Sequence, residues 1–63
     1  MDVTHIVNAG DFYWGVKMID ETRWAVVESW DSGRSWICNC ILESHEDCLT
    51  FIDGWMADCS RLN

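Results

Sequence analysis

The chain has no proline, only four lysine and arginine residues, and no long apolar run. The absence of proline excludes stiff linkers and proline-rich recognition segments. The shortage of basic residues argues against direct binding to nucleic acid or to an anionic membrane, because phosphate groups attract lysine and arginine. No segment has the length of a membrane span, and the first residues lack the basic region of a signal peptide. We therefore expect a cytoplasmic protein with reduced cysteines, and no direct nucleic-acid or membrane partner.

What the chain does contain is hydrophobic, aromatic and acidic. The hydrophobic fraction is 49%, with five tryptophans, and eleven acidic residues leave a net charge of −7. This hydrophobic content indicates a folded chain rather than a disordered one. The 63 residues suffice for one domain only. A chain so short buries only about 60% of the surface that its unfolded form exposes. Folds of this size often depend on a disulfide, a metal or a partner subunit.

Hydrophobic patterning predicts four strands and one helix. Segments 3–7, 12–19, 23–30 and 35–42 have the alternation or the composition of β-strands. Residues 31–33, Asp-Ser-Gly, predict a three-residue hairpin loop with Gly33 in the left-handed region. Segment 45–61 has apolar residues at helical spacing, and Ser44 with Asp47 resembles a helix cap. The order predicts an α+β fold: a single small domain, with an antiparallel β-meander of three to four strands followed by one C-terminal α-helix packed on one sheet face.

Three of the four cysteines and one of the two histidines lie in segment 36–48, WICNCILESHEDC. Alternation points Cys38 and Cys40 to the same face of the last strand, and Cys48 and Cys59 share a helix face. Buried, unreactive thiols are the interpretation that we favour. Two alternatives stay open: a disulfide such as Cys40 to Cys48, and a zinc site formed by Cys38, Cys40, His45 and Cys48. Structural zinc sites prefer C-x(2–4)-C pairs, so we expect no metal and no cofactor.

One helix can cover only one face of the predicted sheet. Strict alternation assigns to the covered face Phe12, Trp14, Val16, Trp24, Val26, Trp36, Cys38 and Cys40. It assigns to the opposite face Tyr13, Ile19, Ala25, Val27, Ile37 and Ile41. A contiguous apolar face of this kind predicts an interface, with a second copy in a homodimer or with a different partner. A hairpin register shifted by one residue would exchange the faces of neighbouring strands.

No motif predicts catalysis, so we expect a protein that is not an enzyme and has no catalytic residues. The acidic charge and the aromatic residues predict a binding protein, an inhibitor or adaptor that docks on a basic site of a partner protein. The candidate contact residues are Trp30, Asp31, Tyr13, Val27, Ile37 and Ile41. The alternatives are a small zinc-stabilised module, an accessory subunit of a larger assembly, and an acidic surface that only confers solubility. In composition the chain resembles the small inhibitors of phages and mobile elements, including anti-CRISPR and other counter-defence proteins. That likeness assigns no role to any residue.

Overall fold

The computed structural model describes residues 3–61, with side chains described as far as residue 58. Its elements are β1 (Val3–Asn8), β2 (Tyr13–Asp20), β3 (Arg23–Ser29), β4 (Ile37–Leu42) and α1 (His45–Arg61). The strands form one antiparallel sheet in the order β1-β2-β3-β4, and α1 packs on one face of that sheet. The predicted α+β fold, a meander followed by one helix, is confirmed. We refer to the face under α1 as the covered face and to the other as the open face.

The core lies between α1 and the covered face, and aromatic rings fill much of it. Its buried members are Phe12, Trp14, Val16, Val26, Cys48 and Ile52. Trp14 and Trp55 lie edge to face with ring centroids 5.4 Å apart, and Phe12 contacts both rings. Such pairs contribute about 0.5–1.5 kcal/mol each beyond the burial of their area. The large rings allow a thin domain to build a core from few residues.

The helix begins at its predicted cap. The Ser44 Oγ accepts a hydrogen bond of 3.0 Å from the Asp47 backbone N–H, which is the N-cap interaction. Glu46 and Asp47 occupy the first turn, where the positive end of the helix dipole favours carboxylates. Ser44, Glu46 and Asp47 therefore define the start of α1 through interactions between residues that are close in sequence.

The apolar face of α1 is displaced from the predicted stripe, because Leu49 and Met56 also pack against the core. Cys48 and Ile52 are fully buried, and Trp55 is partly buried. Phe51 lies at the edge of the contact with the sheet and stays exposed. The remaining predicted positions of the stripe, Cys59 and Leu62, lie outside the side chains that the structure describes.

Strand β4 contains one residue more than strict alternation allows. Val26 pairs with Cys40, whereas the next residue, Val27, pairs with Cys38. Asn39 is the extra residue and forms a β-bulge. Beyond a bulge, each side chain lies on the face opposite to the one that simple alternation assigns. The even-numbered residues of β4 therefore lie on one face after Asn39 and on the other face before it.

The bulge corrects three predicted placements. Cys38 and Trp36, which alternation assigns to the covered face, lie on the open face, where both line the same hollow. Ile37, assigned to the open face, pairs with Glu28 and therefore points to the covered side. Glu28 in turn pairs with the core residue Trp14, so Trp14, Glu28 and Ile37 all point to the covered side. The prediction erred because an inserted residue leaves no trace in an apolar pattern.

The predicted three-residue turn at 31–33 is the centre of a longer loop. Strand β3 ends at Ser29 and β4 begins at Ile37, so residues 30–36 connect them. Gly33 has a φ of +87°, the left-handed conformation predicted for it. Ser32 also has a positive φ, of +63°, which a non-glycine residue adopts only rarely. The loop begins at Trp30 and ends at Trp36.

Candidate functional site

The six residues predicted to contact a partner lie on two sides of the molecule. Tyr13, Val27 and Ile41 belong to the open face, and Trp30 and Ile37 to the covered side, while Asp31 lies in the loop between β3 and β4. Val27 is buried, so its side chain is not available to a partner. The predicted residues therefore divide between two separate surfaces, and their contact with a partner stays a prediction.

Trp30 is the most exposed large hydrophobic residue of the described chain, at 58% of its full exposure. Its ring stacks on Phe12, with ring centroids 4.6 Å apart and planes at 17°. One face of the indole is thus held against the core and the other is open to solvent. A ring that is already fixed loses little conformational freedom when a partner covers it.

Two further exposed apolar residues lie on the same side as Trp30. Phe51 packs edge-on against Trp14, with centroids 5.8 Å apart. Ile37 lies in the cross-strand row that runs from Trp14 through Glu28 to β4. Glu28 is two residues before Trp30 on β3, so its side chain points to the same side. We name Trp30, Ile37, Phe51 and Glu28 together the Trp30 patch.

The carboxylate of Asp31 is used by its own loop. Its Oδ1 accepts hydrogen bonds from the Ser29 Oγ at 2.8 Å and from the Ser35 backbone N–H at 2.9 Å. Its Oδ2 accepts one from the Ser35 Oγ at 2.6 Å. These bonds, those from Ser35 first, lower the pKa of Asp31 to about 2. Asp31 therefore holds the loop in shape, and only its charge is available to a partner.

Ser29 anchors this loop to the sheet. The residue is completely buried, yet its hydroxyl is satisfied, because it donates to Asp31 and accepts a 2.8 Å hydrogen bond from the Gly33 N–H. The loop it holds has Trp30 at one end and Trp36 at the other. Because these rings lie on opposite sides of the sheet, the loop sets the position of an aromatic residue on each surface.

Acidic side chains concentrate on the outer surface of α1. Glu46, Asp47, Asp53 and Asp58 are exposed, and residues 45–58 include no lysine or arginine. Asp47, Phe51 and Asp58 recur at i, i+4 and i+11, so they follow one stripe of the helix. The exposed ring of Phe51 thus has a carboxylate on either side. The acidic stripe of α1 therefore includes Phe51, one member of the Trp30 patch.

The open face is shaped by Trp36. A hollow of about 400 Å³ is lined by Val3, Ile6, Tyr13, Ser32, Gly33 and Trp36. A second, of about 150 Å³, is lined by Lys17, Ile19, Ala25, Val27, Trp36 and Cys38. Trp36 belongs to both linings and so forms a ridge between them. Among these described residues Lys17 alone is charged. The open face is therefore mainly apolar, in contrast to the acidic surface of α1.

Cys38, Cys40, Cys48 and His45 do not form a common site. The bulge places Cys38 on the open face, whereas Cys40 packs against the core. The ring of His45 lies against Trp24, with centroids 5.0 Å apart. Among the described side chains, no three or more His, Cys, Asp or Glu residues are placed to hold a metal ion. The residues of the zinc alternative are thus not brought together.

Burial raises the pKa of two of the thiols. Desolvation, with a smaller contribution from the Cys38 thiol, raises the pKa of Cys40. Desolvation also raises the pKa of Cys48, with Cys40 and Asp47 adding to the effect. Cys38, Cys40 and Cys48 are free thiols, so the disulfide between Cys40 and Cys48 is not formed. A raised pKa disfavours the thiolate, which is the reactive and metal-binding form.

Sequence reasoning misplaced Trp36 and did not select Ile6 at all. Ile6 is exposed and lines the larger hollow. Gly15 was an unused sign that another group packs on β2, because a glycine inside a strand of bulky residues often marks such a close approach; the structure shows that this group is Trp36. No comparable signal marked Asn39 as the bulge.

Similarity to known proteins does not add to these observations. No protein-family model, curated protein sequence or solved structure matches the chain. Within residues 3–61, no helix is both long enough and apolar enough to cross a membrane. The acidic surface of α1 with the Trp30 patch, and the open face, are therefore the features from which a function can be inferred.

Proposed function

We propose that the protein is a small, cytoplasmic, non-enzymatic binding protein of the inhibitor or adaptor type. It docks the acidic surface of α1 and the adjoining Trp30 patch onto a basic site of a partner protein. Occupation of that site blocks the access of its normal ligand. The observation that carries the proposal is that the exposed carboxylates Glu46, Asp47 and Asp53 lie on the same helix as the exposed Phe51 ring, and that Phe51 and Trp30 are both held against core rings on this side of the sheet.

The charge distribution supports a basic partner. The exposed acids Glu46, Asp47 and Asp53 of α1 have no lysine or arginine between them in the sequence. Elsewhere Arg23 is already bound to Asp20, at 2.7 Å. Acidic surfaces speed the encounter with basic ones, and this steering is screened beyond about 8 Å at physiological salt. The acids therefore set the rate of association and the choice of partner.

The aromatic residues supply the affinity in this proposal. Tryptophan is enriched among the residues that contribute most to binding at interfaces. Trp30 presents one free ring face, and its other face is fixed on Phe12. Ile37 and Phe51 extend the apolar contact on the same side. Covering these rings slows dissociation, whereas the surrounding carboxylates act mainly on association.

The first partners to test are purified CRISPR effector complexes. Anti-CRISPR proteins are among the inhibitors that the chain resembles in composition, and such complexes hold nucleic acid in a positively charged channel. Capture of basic proteins from bacterial extracts on the immobilised protein extends the search. For each partner, the association rate, the dissociation rate and the competition with the partner's own ligand are measured.

Two matched variants make the test specific. Asp53→Asn and Glu21→Gln each remove one exposed negative charge, but only Asp53 lies on α1. We expect Asp53→Asn to slow association by about 2- to 5-fold at low salt and Glu21→Gln to leave it nearly unchanged. Trp30→Ala is expected to raise the dissociation rate by about 10-fold or more.

Three results would contradict the proposal. One is equal association rates for the Asp53 and Glu21 variants over a range of salt concentrations. Another is a partner that binds its own ligand while it is bound to this protein. The third is the absence of any partner with a basic site in both searches.

A further inference from the structure

We infer that the open face packs against the open face of a second copy of this chain, in a two-fold symmetric dimer. The inference does not rest on the proposed function, because that function uses the opposite side of the molecule. It rests on the shape, the charge and the area of the open face, and on the bulges of the edge strands.

The edges of the sheet are less suited to self-association than its face. Strand β4, at one edge, carries the bulge at Asn39. Strand β1, at the other edge, has a register shift between Thr4 and Val7, and His5 there has a positive φ of 49°. Bulges in edge strands disrupt the regular row of hydrogen-bonding groups that another strand would need. Self-association is therefore directed to the face.

The apolar residues of the open face are exposed in the single chain. Ile6, Ile19 and Ile41 are all among its exposed large hydrophobic residues. Ile41 pairs with Ala25, which lines the smaller hollow, so it borders that hollow. Burying these side chains against a second copy removes apolar surface from water, which favours association by about 25 cal/mol per Å² before its entropic costs.

The shape of the open face allows it to pack against itself. A two-fold dimer needs a surface in which protruding and recessed parts match after rotation. The ridge of Trp36 has a hollow on each side of it. The smaller hollow, of about 150 Å³, has the volume of a cavity that holds a benzene ring. A large side chain of one copy can therefore enter a hollow of the other.

The charge distribution permits this dimer although each chain carries −7. Packed sheets lie about 10 Å apart, and a helix lies a similar distance from its sheet, so the two acidic helices would be about 30 Å apart. That separation is several times the screening length of about 8 Å at physiological salt. Lys17 is half-buried, and its long side chain can carry the ammonium group to the rim of the interface.

The area of the face is sufficient for a reversible dimer. Four strands about 4.8 Å apart and about 20–25 Å long form a face of about 400–500 Å². Two copies then bury about 800–1,000 Å² in total, at the lower limit for specific interfaces and in the range of weak, reversible ones. We therefore expect a dissociation constant in the micromolar range rather than an obligate dimer.

The decisive experiment compares two isoleucines of β4. Ile41 and Ile37 have similar exposure, 52% and 57%, but the bulge places them on opposite sides of the sheet. The molecular mass of the wild type, Ile41→Glu and Ile37→Glu is measured by light scattering and native mass spectrometry from about 1 µM to about 1 mM under reducing conditions. We expect wild type and Ile37→Glu to dimerise, and Ile41→Glu to raise the dissociation constant at least about 100-fold.

A second measurement locates the interface. Cys38 lies on the open face and is exposed. Its alkylation should slow as the concentration of the wild type rises, and should not slow for Ile41→Glu. Because the acidic helices lie far apart, the dissociation constant should change less than about 3-fold between low and high salt.

The inference is overturned if the wild type stays monomeric at the highest concentration, which would leave the open face to a different protein. It is also overturned if Ile37→Glu dissociates the dimer as strongly as Ile41→Glu, or if Cys38 reacts equally fast at every concentration. None of these results bears on the proposed binding of a basic partner by α1.

Discussion

The indole ring of Trp36 lies directly on Gly15. Its Cζ3 and Cη2 atoms are 3.1 and 3.3 Å from the position that a Cβ atom on residue 15 would occupy, and such a Cβ would also overlap the Val3 side chain. Glycine is thus required in the middle of β2 by packing and not by its backbone conformation. This contact brings the loop between β3 and β4 back over the open face and forms the ridge between the two hollows.

Gly15→Ala should destabilise the fold by about 1–3 kcal/mol, because a methyl group there forces Trp36 and Val3 to move. Chemical denaturation followed by tryptophan fluorescence measures the change. Gly54→Ala is the matched control, since a Cβ at that position meets no atom within 4 Å. This helical substitution should stabilise the protein by about 1 kcal/mol. Equal effects of the two substitutions would contradict the packing of Trp36 on Gly15.

Ser44→Ala should lower the free energy of unfolding by about 1 kcal/mol, because it removes the acceptor for the Asp47 N–H at the start of α1. Ser44→Asp keeps an acceptor and should retain most of the stability. Urea titrations of the three proteins test this. An alanine variant as stable as wild type would show that the cap contributes nothing.

Stability should fall in acid as the carboxylates of Asp31 and Asp20 are protonated. Hydrogen bonds from Ser35 lower the pKa of Asp31, and those from Arg23 lower the pKa of Asp20, each from 3.8 to about 2. A folded-state pKa below the unfolded value contributes stability above about pH 4, and that contribution is lost as the pH falls towards 2. Melting temperatures measured between these values report the loss.

The Asp31→Asn variant isolates the contribution of the loop. It should melt below wild type at pH 7, because the Ser35 Oγ loses its acceptor, Oδ2. The difference should narrow near pH 2, where wild-type Asp31 is itself partly protonated. Glu21→Gln, which removes an exposed carboxylate from the neighbouring turn, serves as the control. A difference that stays constant with pH would contradict the assigned role of Asp31.

The thiols should react in the order of their exposure. We expect Cys38 to be alkylated before Cys40 and Cys48 at pH 7.5, because it is exposed, whereas burial raises the pKa of Cys40 and Cys48. Mass spectrometry of peptides after timed labelling gives the order of reaction. In denaturant, where the fold is lost, the three thiols should react at similar rates. Cys48 reacting as fast as Cys38 in the folded protein would contradict the core assigned to it.

Addition of a strong chelator should leave the melting temperature unchanged, because Cys38 and Cys40 lie on opposite faces of the sheet and cannot bind one ion together. Cys38→Ser should likewise have little effect on stability. A large fall in melting temperature with the chelator would instead support the alternative that the protein is a small zinc-stabilised module. Metal analysis of the purified protein completes the test.

The strands, the helix and their order could be predicted from the sequence, because they depend on short-range patterns. Alternation over segment 12–19 placed Phe12, Trp14 and Val16 on the core side, where they lie. The cap at Ser44 and the left-handed Gly33 were likewise predicted from neighbouring residues. Such signals need no knowledge of the rest of the fold, since a helix cap or a turn is stabilised by groups a few residues apart.

The tertiary structure decided which surface each residue of β4 and its preceding loop occupies. The bulge at Asn39 depends on how β4 pairs with β3, and it moves Cys38, Trp36 and Ile37 relative to simple alternation. A strand's register reflects packing on both faces of the sheet, and no local pattern records an inserted residue. The pairing of β3 with β4 therefore decides which residues form the covered and open faces, and it places Cys38 and Cys40 on opposite faces.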